Sequence, residues 1–154
     1  MKFLVLIGVS FVLLGLLGCG GGGGDEAAAS KPVRREIRDS SKPPHVKLPS
    51  GRPPSHLIVR DLRRGSGRAI PRRGGVEIRT NFVAVSYRTR KPYEVRWSPE
   101  GSFDIGFGPG IEIKGWEKGL PGMRVGGRRE LIVPSKLAYG EGALLYVIDL
   151  VGVH

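Results

Sequence analysis

Between Gly115 and Gly140 the chain reads GWEKGLPGMRVGGRRELIVPSKLAYG, and no other feature restricts its folding as strongly. Six glycines and two prolines are spread through this stretch. An internal glycine costs a helix about 1 kcal/mol relative to alanine, and an internal proline about 3 kcal/mol. A long helix is therefore excluded. What remains is about two helical turns from Ile113 to Leu120, halted by Gly122 and Gly126, followed by turns and a strand from Arg128 to Val133. The same pressure acts along all 154 residues, where 25 glycines and 12 prolines favour short strands and many turns over a helical bundle.

The other elements follow from periodicity. HLIVRDL, from His56, reads as a first strand, ended by the turn-prone RRGSG at Arg63 to Gly67. After PRRGG at Pro71 to Gly75, the alternation of Val76, Ile78, Thr80 and Phe82 with Glu77, Arg79 and Asn81 predicts a strand with one solvated face. Further strands are expected over Lys91 to Trp97, Ser102 to Phe107 and Arg128 to Val133. The last, ALLYVIDLVGV from Ala143, is mostly apolar throughout, as a strand covered on both faces would be. The expected class is α+β: an antiparallel, twisted sheet of about five strands wrapped on one short helix, occupying residues 56–154.

The N-terminal third has another character. Lys2 precedes the uncharged apolar run Phe3 to Gly18, a charged n-region and h-region shorter than the roughly 20 residues of a spanning helix. The run ends in LLGC, Leu16 to Cys19, which resembles the bacterial lipobox, where cleavage before the cysteine leaves its thiol to carry a diacylglycerol. Residues 1–18 then read as a lipoprotein signal peptide. Residues 19–55, with five consecutive glycines and later Pro43-Pro44 and Pro53-Pro54, read as a disordered tether. The expected location is extracytoplasmic, on a membrane held through lipidated Cys19. Cys19 is the sole cysteine, so an intramolecular disulfide is excluded.

A net charge of +11 implies attraction to anionic surfaces. The pairs Arg34-Arg35, Arg63-Arg64, Arg72-Arg73 and Arg128-Arg129 lack the interleaved aromatics of single-strand binders, so no specific nucleic acid is expected and these pairs read as solvated. His45, His56 and His154 lack ligand-type spacing, and neither a metal nor another cofactor is expected. A monomer is expected.

Ile113, Trp116 and Leu120 lie at i, i+3 and i+7 and share one helix face, with Trp116 at its centre. Phe82, Tyr93, Phe103, Ile113, Tyr139 and Tyr146 supply further apolar surface, so that an apolar concavity with a few hydroxyl handles is expected. GFGPG at Gly106 to Gly110 is followed by no Lys-Ser/Thr pair, which argues against a phosphate loop. Glu94 and Glu112 read as surface carboxylates rather than an acid and base pair.

From Gly108 to Gly140 the sequence resembles the FKBP-type peptidyl-prolyl isomerases, through its glycine-tryptophan pair, GMRVGGRR and the proline-to-LAYG turn. The likeness extends from Leu57 to Val153. It implies that Trp116 floors a proline pocket, that the Ile113 N–H binds a substrate carbonyl, that Phe103 and Tyr146 form aromatic walls, and that the Tyr139 hydroxyl meets the ligand. Tyr93 and Glu94 stand on the family's usual Phe-Asp pair, and Phe82 where tyrosine is common; both are departures.

The activity implied is cis/trans isomerisation of X-Pro bonds in polypeptides, assisting protein folding outside the cytoplasm, with apolar residues preferred before proline. The alternative is a non-catalytic proline-binding or chaperone-like module, and a third class is a basic adhesion lipoprotein. Between AYG and ALLYV stand only Glu141 and Gly142, where family members usually carry a longer loop over the pocket. A shallower, wetter site with weak, broad activity and reduced macrolide affinity is the expectation that follows.

Overall fold

The computed structural model describes residues 42–98 and 102–154. Cys19, the signal-like segment and most of the predicted tether lie outside the described residues. Six strands form one antiparallel sheet: β1 (Ile58–Arg63), β2 (Val76–Ser86), β3 (Pro92–Arg96), β4 (Phe103–Phe107), β5 (Arg128–Val133) and β6 (Leu144–Val153). A single α-helix among the described residues, α1 (Lys114–Gly119), stands between β4 and β5, and a 3-10 turn (Ser135–Leu137) between β5 and β6. The order is β1-β5-β6-β2-β3, with β4 also paired to β2. β2 is long enough to serve two partners: Val76 to Thr80 face β4, and Phe82 to Val85 face β3. The α+β sheet on one short helix is as the sequence predicts, with six strands rather than five.

The solvated face expected for β2 ends halfway along it. Buried and less buried residues alternate up to Thr80, but every residue from Thr80 to Ser86 is buried. The reason is a second apolar layer, in which Val83, Val85, Tyr87, Ile132, Leu145 and Val147 pack with Leu48, and Val46 lies against them. The packed chain therefore starts well ahead of His56, inside the stretch read as a tether. Two isolated apolar residues in HVKLP have no periodicity, so nothing local marks them as a cover.

The main core lies on the other face, where Trp116 of α1 and Leu120 just past its end meet Phe82, Leu131, Val133, Tyr146 and Ile148. The glycines of GWEKG set how closely α1 approaches. A Cβ on Gly115 would stand 2.4 Å from Val133 Cγ1, and one on Gly119 would stand 2.7 Å from Leu131 Cδ2. Both distances are far inside van der Waals contact, so only glycine at these two points lets the helix rest directly on β5.

The Arg128-Arg129 pair is not solvated; Arg128 is 2% and Arg129 8% exposed. Arg128 donates from Nε and Nη2 to the two carboxylate oxygens of Asp149, the second bond at 2.7 Å. Its guanidinium also lies 5.4 Å from the Trp97 ring centroid. Arg129 donates to Asp61 on β1 at 2.7 Å and to the Gly119 carbonyl at 2.8 Å. A cation at the C-terminal carbonyls of a helix satisfies acceptors that lack intrahelical partners. Arg129 thus pins the end of α1 to β5 and β1, which fixes the depth of Trp116.

Candidate functional site

Three aromatic rings make the base of a cavity of about 270 Å³. Phe82 comes from β2, Trp116 from α1 and Tyr146 from β6, so the floor exists only when sheet and helix are assembled. Trp116 meets Phe82 edge to face, with centroids 5.1 Å apart and planes at 84°. It meets Tyr146 in the same way at 5.5 Å and 81°. Edge-to-face contacts align positive ring edges with negative faces, and here they interlock all three rings. Trp116 is 2% exposed, and its indole Nε1 has no hydrogen-bond partner among the described residues.

Hydroxyls and charges form the mouth. Burial pushes the Tyr146 ionisation well above the ordinary tyrosine range, and its Tyr139 neighbour adds to the shift. Burial also raises Tyr139, opposed by its contact with Tyr146. Tyr139 is half exposed and stacks on Tyr93 at 6.0 Å and 24°. Around the same cavity stand Glu94, Arg96, Asp104, Ile105 and Glu112. Arg79 holds Asp104 through two bonds, at 2.8 and 3.0 Å, and keeps its carboxyl below the usual range. Arg96 binds Glu94 at 2.6 Å. Glu112 has no cationic side chain within 4 Å among the described residues. Burial, followed by the charge of Glu94, raises its carboxyl above the ordinary range, while its bond to the Ile113 N–H and the charge of Arg96 pull the other way.

Of the residues singled out from sequence, Phe82, Glu94, Trp116, Tyr139 and Tyr146 line this cavity together. Ile113 caps the start of α1 and packs partly buried on the core; its N–H, the donor expected to meet a substrate, helps to keep the adjacent Glu112 carboxylate ionised. Phe103 is half-buried and is not among the lining residues, and the Arg96 guanidinium lies 5.7 Å from its ring centroid. Tyr93 lines a neighbouring cavity of about 150 Å³, which shares Tyr139 and is completed by Ser86, Arg88, Pro92 and Glu141. Glu112 is the chief correction, since it reads from sequence as a surface carboxylate and stands half-buried in the wall. Arg96, Asp104 and Ile105 were not singled out. Only their strand positions beside Glu94 and Phe103 could have pointed to them.

Comparison with known proteins gives one answer. A family profile described as FKBP-type peptidyl-prolyl cis-trans isomerase matches residues 73–148. An FK506-binding protein of Streptomyces anulatus is 36% identical over 125 residues, covering 74% of this chain and 99% of that one. A relative named a probable FK506-binding protein, from Corynebacterium glutamicum, is 36% identical over 117 residues, covering 70% of this chain and 96% of its own length. Among solved structures, FKBP12 of Mycobacterium tuberculosis aligns with a TM-score of 0.50 at 35% identity, over 75% of this chain and 98% of that one. FkpA of Escherichia coli, at 22% identity and a TM-score of 0.54, covers 63% of this chain and 47% of that one, and is similar in fold alone.

Proposed function

This chain belongs to the FKBP-type peptidyl-prolyl cis-trans isomerase family, and from that premise we propose that it isomerises X-Pro bonds in polypeptides outside the cytoplasm, anchored through lipidated Cys19. The observation that carries the catalytic reading is the interlocked floor of Phe82, Trp116 and Tyr146 beneath a cavity of about 270 Å³.

Rotation about a prolyl amide breaks no bond, so a site without a nucleophile suffices. The barrier of about 18–20 kcal/mol is the resonance lost as the amide leaves planarity. A twisted amide is less dipolar along C–N than the planar one, so a dry aromatic floor favours it over the ground state. Tyr139 is half exposed and lines the cavity, where its hydroxyl can donate to a substrate carbonyl. The Ile113 N–H at the start of α1 supplies a second anchor.

The alternative reading is a proline-binding or chaperone-like module that holds segments without turning them over. The connection of only Glu141 and Gly142 before Ala143 supports weak, broadly selective activity and low macrolide affinity. The LLGC sequence supports the anchor: Cys19→Ala should abolish lipid labelling and membrane retention, and unchanged labelling refutes it.

The deciding experiment is NMR exchange spectroscopy on X-Pro peptides with the full chain in non-ionic detergent. Acceleration over the uncatalysed exchange, which takes tens to hundreds of seconds, is expected. Most of it should vanish in Trp116→Ala, with circular dichroism verifying the fold. Peptide binding at the uncatalysed exchange rate would establish the binding-module reading instead.

A further inference from the structure

We propose that this cavity selects prolyl segments carrying a lysine or arginine next to the proline, with Glu112 as the residue that reads the cation. The inference rests on the isomerase reading of the same cavity. It replaces the expectation that apolar neighbours are preferred, which considered only the aromatic floor.

The charges around the mouth do not cancel. Three carboxylates, Glu94, Asp104 and Glu112, line the cavity. Arg96 and Arg79 neutralise the first two through direct ion pairs. Arg96 is further held over the Phe103 ring, and Arg79 is committed to both Asp104 oxygens. Neither makes an ion pair with Glu112, so among the described residues the three carboxylates outnumber these two arginines by one, in a chain whose total is +11. A half-buried carboxylate without a cation is costly, and the missing partner is supplied when a substrate brings one.

Two further observations point to a ligand here. The Trp116 indole N–H is buried against the same cavity with no acceptor among the described residues. The exposed Tyr93–Tyr139 stack at the rim offers aromatic faces of the kind that attract ammonium and guanidinium groups. With a proline ring on the Trp116 floor, the adjacent residue lies one Cα step, about 3.8 Å, along the chain. Its long side chain is then at the mouth.

The test uses the full chain in non-ionic detergent and two sets of blocked tetrapeptides, with Lys, Leu or Glu placed immediately before proline in one set and immediately after it in the other. The expected result is a kcat/KM for Lys about three- to tenfold above that for Glu in at least one set, carried mainly in KM and shrinking as salt rises to 1 M. Glu112→Gln should bring the Lys/Glu ratio close to one, and Glu112→Lys should invert it. Glu130→Gln, the same loss of charge at a site outside the cavity, should leave the ratio as in the wild type. A Lys/Glu ratio near one in both sets, or a ratio that survives Glu112→Gln, overturns the inference. Absence of catalysis on every peptide would instead refute the isomerase reading beneath it.

Discussion

Around Asp149 and around Glu112 the protein gathers charges of both signs against one sheet, and the two clusters are built to opposite ends. Asp149 is buried and receives two bonds from Arg128, with Arg63 3.6 Å away. Its neighbour Arg129 completes the pattern by binding Asp61 and a helix-end carbonyl. Every charge there is answered by the protein itself. At the cavity mouth Glu94 and Asp104 are answered and Glu112 is not. A closed cluster holds α1 against the sheet, whereas an open one leaves electrostatic energy to be gained by a ligand. Charge that the protein has already satisfied serves the fold, and charge left over is available for recognition.

Removing one partner from the closed cluster should have the largest effect. Asp149→Ala leaves the 2%-exposed Arg128 without its carboxylate, and such a loss costs about 3–5 kcal/mol. The shift in the urea midpoint measures it, and a loss below about 1 kcal/mol would erase the contrast between the clusters. The packing that Arg129 secures is tested next by Gly115→Ala. The new methyl would collide with Val133, whose branched side chain has little freedom to yield. A cost of about 1–3 kcal/mol is expected, together with altered Trp116 fluorescence as α1 lifts. Unchanged stability and fluorescence would mean that the helix depth is set elsewhere.

A comparable loss, about 2 kcal/mol, is expected for Leu48→Ala on the opposite face, because Leu48 is buried over Val83, Val85 and Leu145. Since that layer makes no contribution to the cavity floor, isomerase activity per folded molecule should be unaffected, and a parallel loss of activity would show that the two faces are coupled.

The smallest effect is expected from Glu112→Gln, and its sign is opposite. Burial raises the Glu112 carboxyl above its ordinary value, so the folded state holds this proton more tightly than the unfolded chain does. The stability gained from the protonated form is present below the ordinary carboxylate range and is lost as pH rises through the raised value. The glutamine variant should therefore match the wild type near pH 4 and melt slightly higher at pH 7. A lower melting temperature at pH 7 would mean that the bond to the Ile113 N–H outweighs the cost of burying the charge.

Sequence alone determined the elements and the family, because both are written locally. Alternation marks β2, a mostly apolar run marks β6, and glycines and prolines leave room for one short helix over Ile113 to Leu120, where α1 is found. The floor aromatics Phe82, Trp116 and Tyr146 were legible for the same reason, since large rings at spaced positions within a resemblance announce themselves. Only the tertiary structure decided what depends on neighbours far along the chain. Arg128 reads as solvated until Asp149, 21 residues away, closes on it. Val46 and Leu48 read as tether until the second face of the sheet exists to receive them. Glu112 reads as a surface carboxylate because its character depends on which cations are already engaged: Arg96 is held by Glu94 within β3, and Arg79 by Asp104 across strands. Hydrophobic period is a property of a segment, but burial and charge compensation are properties of an assembled neighbourhood.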